Sequence, residues 1–136
     1  MNKILIVDDS VSWTNFHEET IKELFGSTFD ITTANSAQNA LDLVRKSINN
    51  PFDIIITDLQ MENCYEDKLA GEWLVEQIQL LKQYYKSKII IISSMPNIEM
   101  IAKEHNVECI SKNILIRNKL LLKFMFIKLM PFLNSI

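Results

Sequence analysis

The stretch Phe52-Asp53-Ile54-Ile55-Ile56-Thr57-Asp58 decides the fold of this chain. Its centre is a run of isoleucines, which is typical of a strand covered on both faces in a parallel sheet. Asp58 follows the run directly and so ends the predicted strand, at the edge where open α/β sheets collect ligands and chemistry. Because a carboxylate there is costly to desolvate without a cationic partner, we expect Asp58 to be the working residue.

Apolar runs and helical patterns alternate on both sides of this strand. The other predicted strands cover residues 3–7, 29–34, 88–93 and 107–110. The apolar spacing predicts five helices, the last from about 114 to 131. Such alternation implies parallel pairing with right-handed crossovers. The sequence therefore predicts an α/β fold, a doubly wound three-layer sandwich around a five-stranded parallel sheet.

Length and composition bound the class of protein. The 136 residues predict one domain over 1–136, with no output domain. The net charge of −3 gives no global attraction to nucleic acid. Cys64 and Cys109 lack CxxC spacing, which favours free thiols in a reducing compartment over a zinc site. There is no signal-peptide pattern, and cations interrupt the apolar segment 114–133, so we expect a soluble cytoplasmic protein.

Polar side chains follow four of the predicted strands. Because parallel strands end at one edge, these side chains converge there: Asp8, Asp9, Asp58, Ser93 and Lys112. Clustered carboxylates need a counter-charge, and Mg²⁺ prefers oxygen ligands of this kind. His17 and His105 lie on separate predicted helices, which disfavours zinc. A carboxylate nucleophile beside a metal and an ammonium indicates phosphoryl transfer to an aspartate.

An ordered set of motifs resembles a response regulator receiver domain of two-component signalling, similar to the single-domain chemotaxis and sporulation regulators. The matching pieces lie at residues 4–10, 53–61, 71–75, 90–94 and at Lys112, and they span nearly the whole chain. The resemblance implies a flavodoxin-like sheet of strand order 2-1-3-4-5. It also implies a protein that is not an enzyme beyond its own phosphorylation and dephosphorylation.

The resemblance assigns metal ligands. Asp9 would bind Mg²⁺ directly, Asp8 would act mainly through bound water, and Asp58 would complete the carboxylate set. Gln60 would contribute its backbone carbonyl.

The resemblance also assigns the phosphoryl chemistry. Asp58 would accept the phosphoryl group from a phosphohistidine on a histidine kinase or phosphotransfer protein. Lys112 would pair with that group, and Ser93 would be the switch hydroxyl, with Ser94 as its rival. The signal would then pass to a downstream protein through protein contacts, without direct binding to nucleic acid or membrane.

Several positions depart from the family pattern. Glu62 and Asn113 stand where prolines are usual, and Cys109 occupies the aromatic switch position. The stretch from Asp58 to Gly71 is longer than the family norm, and we interpret its acidic residues Glu62, Glu66 and Asp67 as part of a solvated loop rather than as extra metal ligands. These departures leave open a pseudo-receiver, an unphosphorylated dimerisation or docking module. A phosphohydrolase is a weaker alternative, because Gln60 stands where its general acid belongs.

The last predicted helix carries two apolar stripes, although a surface helix needs only one for the core. They are Leu115, Leu122, Phe126 and Leu129, and Ile116, Leu120, Phe124 and Ile127. A wider buried face with snorkelling lysines is one explanation. We favour a partner surface, for a homodimer or another protein, and predict that the second stripe is partly exposed in a monomer. By default, Trp13 and Trp73 belong to the core, and His17 and His105 to the surface.

Overall fold

The computed structural model describes residues 1–61 and 67–135. Its five strands all pair in parallel, in the order β2-β1-β3-β4-β5. They are β1 (Asn2–Val7), β2 (Phe29–Ala34), β3 (Ile54–Thr57), β4 (Lys88–Ser93) and β5 (Glu108–Ser111). The predicted sheet and its strand order are confirmed. The predictions about Glu62, Cys64 and Glu66 lie outside the described residues.

Six α-helices connect and follow the strands within the described residues, rather than the five predicted. They are α1 (Val11–Phe25), α2 (Ala37–Lys46), α3 (Ala70–Gln79), α4 (Ile98–Glu104), α5 (Lys112–Leu115) and α6 (Leu120–Leu129). Short 3₁₀ helices cover Lys82–Tyr84 and Pro131–Ser135. The predicted last helix is therefore two helices, and the Asn118 side chain between them accepts the Leu120 N–H at 3.2 Å.

Two apolar cores lie on the two faces of the sheet. Successive residues of a strand point to opposite faces, so Ile55 joins the core under α2, α3 and α4. Ile54 and Ile56 join the core under α1 and α6, where the rings of Phe25 and Phe126 stack 5.5 Å apart. The three-layer sandwich is thus confirmed. No helix in the described part of the chain is both long and apolar enough to cross a bilayer.

The buried face of α1 differs from the expectation. Thr14, His17 and Thr20 are buried, and Trp13 is only half-buried. The prediction of a surface position is wrong for His17, which is 1% exposed. His105 is half-buried, with its Nε2 2.8 Å from a carboxylate oxygen of Glu72. Helical spacing identified the helix correctly but not its rotation about its axis.

The two apolar stripes near the end of the chain differ in burial, as predicted. Leu115, Leu122 and Phe126 are fully buried. Ile116, Leu120 and Phe124 are exposed, and we call these three side chains the outer apolar face. Ile127 and Leu129 are partly buried. The predicted exposure of the second stripe is confirmed for three of its four members.

Candidate functional site

The ends of β1 and β3 hold two aspartates side by side. Val7 and Thr57 are partners in the ladder, and each is followed by an aspartate. The Asp58 N–H donates to the Val7 carbonyl at 3.1 Å, and the Asp8 N–H donates to the Ala34 carbonyl at 3.1 Å. The backbone pairing thus continues one residue beyond the strands and fixes Asp8 and Asp58 at the same edge of the sheet.

Lys112 joins these aspartates from the end of β5. Its Nζ lies 2.7 Å from Oδ2 of Asp58 and 2.8 Å from Oδ2 of Asp8. All three residues are buried, with 5%, 7% and 2% exposure for Lys112, Asp58 and Asp8. Buried charges persist only when they compensate one another, so this contact is what keeps the cluster ionic.

Further contacts fix the two carboxylates and their charge. Oδ1 of Asp58 accepts the Leu59 N–H at 2.7 Å, and Oδ1 of Asp8 accepts the Ser10 N–H at 2.9 Å. Burial raises the pKa of Asp8, against the opposing effect of Lys112 and the Ser10 N–H. Burial by itself lowers the pKa of Lys112, but the hydrogen bonds and charges of Asp58 and Asp8 outweigh it and raise that pKa. Lys112 is therefore an ammonium in this site.

The backbone behind Asp58 approaches α3 closely at Gly71. The Gly71 N–H donates to the Leu59 carbonyl at 2.9 Å. A Cβ at this position would lie 1.8 Å from the Asp58 backbone oxygen, which no side chain can tolerate without a shift of the backbone. Glycine at position 71 therefore lets α3 begin directly against the segment that carries Asp58.

Ser93 and Asp58 border the same cavity, of about 260 Å³, together with Gln60, Ser94, Met95 and Pro96. The Ser93 side chain is buried, and its Oγ accepts the Met95 N–H at 3.2 Å. Ser94 is exposed. The cavity thus offers an incoming group simultaneous access to a carboxylate and to a neighbouring hydroxyl.

Asp9 and Gln60 lie at the rim rather than within the buried cluster. Both are exposed. Within the described residues, Asp9 forms no ion pair within 4.0 Å, so it is not part of the Asp8–Asp58–Lys112 contact. The structure therefore brings three predicted site residues into direct contact and leaves two at the edge of the site.

The arrangement matches a known family. The family model for the response regulator receiver domain matches residues 4–123. This chain belongs to that family.

One curated protein is similar to this chain in sequence, and solved receiver domains are similar to it in fold. The protein-glutamate methylesterase/protein-glutamine glutaminase of Thermotoga maritima is 28% identical over 93 residues, and the match spans 68% of this chain but only 24% of that enzyme. The chemotaxis response regulator CheY4 of Vibrio cholerae is 24% identical over 82% of this chain and 87% of that one, with a TM-score of 0.66. A CheY-like receiver domain protein of Methanospirillum hungatei is 20% identical over 95% and 94%, with a TM-score of 0.69.

The sequence pattern missed two aromatic neighbours of the site in this receiver domain. The Nζ of Lys112 lies 4.7 Å from the centre of the Trp13 ring. The His17 ring packs against Trp13, with centroids 5.5 Å apart. Burial, and next the charge of Lys112, lowers the pKa of His17 from its ordinary value of 6.5 to about 4. One signal was available, because both residues lie in the first half of the helix that directly follows Asp8 and Asp9.

Ligand-type side chains also meet away from this edge of the receiver domain. One nitrogen of His105 and one carboxylate oxygen each of Glu72 and Glu104 lie within 4.8 Å of one another. This cluster contains none of the predicted magnesium ligands. Its shortest contact joins His105 to Glu72 and ties α4 to α3.

Proposed function

We propose that this receiver domain accepts a phosphoryl group on Asp58 from a phosphohistidine of a histidine kinase or phosphotransfer protein in the cytoplasm. One observation carries the proposal. The Lys112 ammonium is held within 2.8 Å of the carboxylates of both Asp58 and Asp8, at the carboxyl edge of a parallel sheet. Apolar residues can often replace a buried salt bridge without a loss of folding stability. Stability alone therefore does not explain why three ionic groups are buried here, and a chemical role does.

The chemistry follows from the access that the cavity gives to Asp58. One carboxylate oxygen attacks phosphorus in line, and the bond from phosphorus to the donor nitrogen breaks. Lys112 is already in contact with the reacting carboxylate, so its charge meets the phosphoryl oxygens without a large rearrangement. The cavity shared by Asp58 and Ser93 provides the space in which the transferred group comes to rest.

The family implies Mg²⁺, and the donors at this edge suit it. Asp8 and Asp58 bring two negative charges against the single charge of Lys112, so the cluster retains negative charge for a cation to offset. Asp9 adds an exposed carboxylate beside them, and Gln60 adds a backbone carbonyl at the rim. These oxygens are the hard ligands that Mg²⁺ prefers. Asp8, Asp9, Asp58 and Gln60 would hold such an ion, which would supply positive charge for the phosphoryl oxygens during transfer.

Ser93 is the proposed switch hydroxyl. Its Oγ now accepts a backbone N–H from Met95, and a phosphoryl oxygen at Asp58 offers a stronger, charged partner for its proton. Movement of Ser93 toward that oxygen shifts the segment that leads into α4. Cys109, on neighbouring β5, lacks a ring that could move with it, so the response passes through backbone rather than through an aromatic side chain.

The outer apolar face is the proposed output surface. It stays exposed in the monomer, and from Lys112 to the C-terminus the chain carries five cationic side chains and no carboxylate side chain. Among the described residues, Lys119 and Lys128 already pair with Glu23 and Glu108. Lys112 is buried in the site, so Arg117 and Lys123 are the cations of this segment that form no ion pair within 4.0 Å among the described residues. Ile116, Leu120 and Phe124 form an apolar strip on the same segment as these two cations, suited to a second copy or to another protein.

The decisive test is phosphorylation by a small donor. The wild-type protein is incubated with Mg²⁺ and acetyl phosphate, and intact-mass spectrometry should find a labile adduct of about 80 Da, one phosphoryl group. Asp58→Asn should abolish it, because the nucleophile is gone. Asp53→Asn is the matched control at the other end of β3, where Asp53 accepts the Lys3 N–H at 2.8 Å, and it should keep the adduct. Absence of any adduct on the wild type would support the pseudo-receiver instead.

Replacement of Lys112 tests the mechanism. Lys112→Met removes the cation that meets the phosphoryl oxygens, so phosphorylation at saturating donor should slow roughly a hundred-fold or more. Lys128→Met is the matched control, because Lys128 forms an exposed ion pair with Glu108, and its rate should match the wild type. Equal rates for the two variants would remove Lys112 from the reaction. The measurement is the time course of the same adduct.

A further inference from the structure

The Lys112 ammonium belongs to a closed chain of contacts. Oδ1 of Asp8 accepts the Ser10 N–H at 2.9 Å, and Oγ of Ser10 accepts the Trp13 N–H at 3.3 Å. The Trp13 ring lies under Nζ of Lys112 at 4.7 Å, and Nζ returns to Oδ2 of Asp8 at 2.8 Å. The N-terminal cap of α1 thus fixes the tryptophan relative to the same aspartate that the lysine contacts.

The ring face is suited to hold this cation. The face of an indole ring is negative and attracts an ammonium, and the attraction is stronger where water is excluded. Lys112 is buried, so it meets the ring with little competition from solvent. The Phe16 and His17 rings also pack beside Trp13, and His17 is neutral near neutral pH, so neither adds an opposing charge. Of the remaining described partners of the ammonium, Asp58 is the carboxylate that the reaction converts into an acyl phosphate, and Asp8 is a carboxylate that the proposed cation would share.

We propose that Trp13 is a positioning residue that holds the Lys112 ammonium against Asp58 throughout phosphoryl transfer. This inference rests on the proposed function. Lysine has a flexible four-carbon stem, and its contact with Asp58 is altered when that carboxylate becomes an acyl phosphate. The contact with the Trp13 ring does not change in that step, so it keeps the ammonium at the site before and after transfer.

The contact itself is tested first, without any phosphoryl donor. In protein carrying ¹³C-labelled lysine, the ε-methylene of Lys112 is assigned by its loss in Lys112→Arg. The ring current of Trp13 should shift its proton resonance upfield, and Trp13→Leu should return it to the usual lysine position. Trp73→Leu is the matched control, because Trp73 is equally half-buried but packs against the core on the other face of the sheet. A resonance that Trp13→Leu leaves in place would overturn the proposal.

The effect on the reaction is tested next, with the same variants. Trp13→Leu should slow phosphorylation at saturating acetyl phosphate by about tenfold, the size expected for a desolvated cation–ring contact. Trp13→Phe should recover most of the rate, and Trp73→Leu should leave it unchanged. In a Lys112→Met background, Trp13→Leu should cause no further loss, since the ring acts through the lysine.

The outcomes separate this inference from the proposed function. If the wild type is phosphorylated and Trp13→Leu is equally fast, the positioning role is wrong and the proposed function stands. If Trp13→Leu slows the rate equally with and without Lys112, the ring acts by another route and the proposal is overturned. If even the wild type takes no phosphoryl group, the proposed function fails and the positioning role fails with it, whatever the lysine resonance shows.

Discussion

Two regions of this receiver domain reverse the usual distribution of polar and apolar groups. At the carboxyl edge of the sheet, Asp8, Asp58 and Lys112 are ionic and buried. On the outer apolar face, Phe124 is 60% exposed beside Leu120 and Ile116. The buried charges are stabilised within the domain, because the Lys112 ammonium pairs with the carboxylates of Asp8 and Asp58. The described residues do not cover the outer apolar face, which is the feature on which its proposed role as an output surface rests.

The two regions are also assembled differently. The buried cluster takes its members from the ends of β1, β3 and β5, so it exists only when the whole sheet is formed. The outer apolar face comes from one continuous segment of the chain, α5, α6 and the turn between them. Substitutions at the site should therefore affect both the fold and the chemistry. Substitutions on the outer face should affect association alone.

The largest effect that we expect is the pH dependence of the unfolding free energy that His17, beside the site, contributes. Its pKa is 6.5 ordinarily and about 4 in the fold, so between these values the unfolded chain binds a proton that the folded chain does not. Stability should be unaffected above about pH 6.5 and should fall by about 3 kcal/mol in total as pH drops to about 4. Urea unfolding across this range measures it. His17→Phe should lose this component of the slope, and equal slopes for the two proteins would contradict a neutral buried imidazole.

Gly71→Ala should have the next largest effect, through the backbone of the site. The new Cβ would overlap the Asp58 carbonyl oxygen, so α3 or the Asp58 segment must move. We expect a loss of about 2 to 3 kcal/mol in unfolding free energy, together with slower phosphorylation, because Asp58 moves away from Lys112. Gly26→Ala is the matched control at the end of α1, where φ is 61° and the added methyl group has open space. It should cost about 1 kcal/mol and leave phosphorylation unchanged.

The sequence predicted the sheet and the buried cluster for one physical reason. The strands β1, β3 and β4 contain compact apolar runs rich in isoleucine, and parallel strands end at one edge, so the side chains that follow the strands converge there, among them Asp8, Asp58 and Lys112. The rotation of α1 was not predictable from spacing alone. The Trp13 ring lies 4.7 Å from the Lys112 ammonium, which follows β5 far along the chain, and His17 is on the buried face of the same helix. The spacing of apolar residues along a helix carries no information about contacts with a cation that is distant in the sequence, such as Lys112.

The division of the predicted last helix into α5 and α6 could not be read from the sequence, for a different reason. No glycine or proline lies between Leu115 and Leu120, so the usual signals for a helix break are absent. Between the two helices the Asn118 side chain accepts the Leu120 N–H, a local contact by which asparagine competes with the hydrogen bonds of a continuous helix. Three members of each apolar stripe were nevertheless assigned correctly, and Ile127 and Leu129 near the end of α6 are both partly buried.

Phe124→Glu should have the smallest effect on stability. Because folding should be nearly unchanged, this variant tests the role of the outer apolar face in association by itself. Phe124 is exposed, so its replacement should change the unfolding free energy by no more than about 0.5 kcal/mol. Phe126→Ala, two positions on and fully buried between Phe25 and Phe29, is the control that should destabilise clearly. If the wild type associates at high concentration in analytical ultracentrifugation, Phe124→Glu should remain monomeric, since a charge cannot enter an apolar contact without a partner. A stability loss as large as that of Phe126→Ala would place Phe124 in the core, and the contrast between the two regions would then fail.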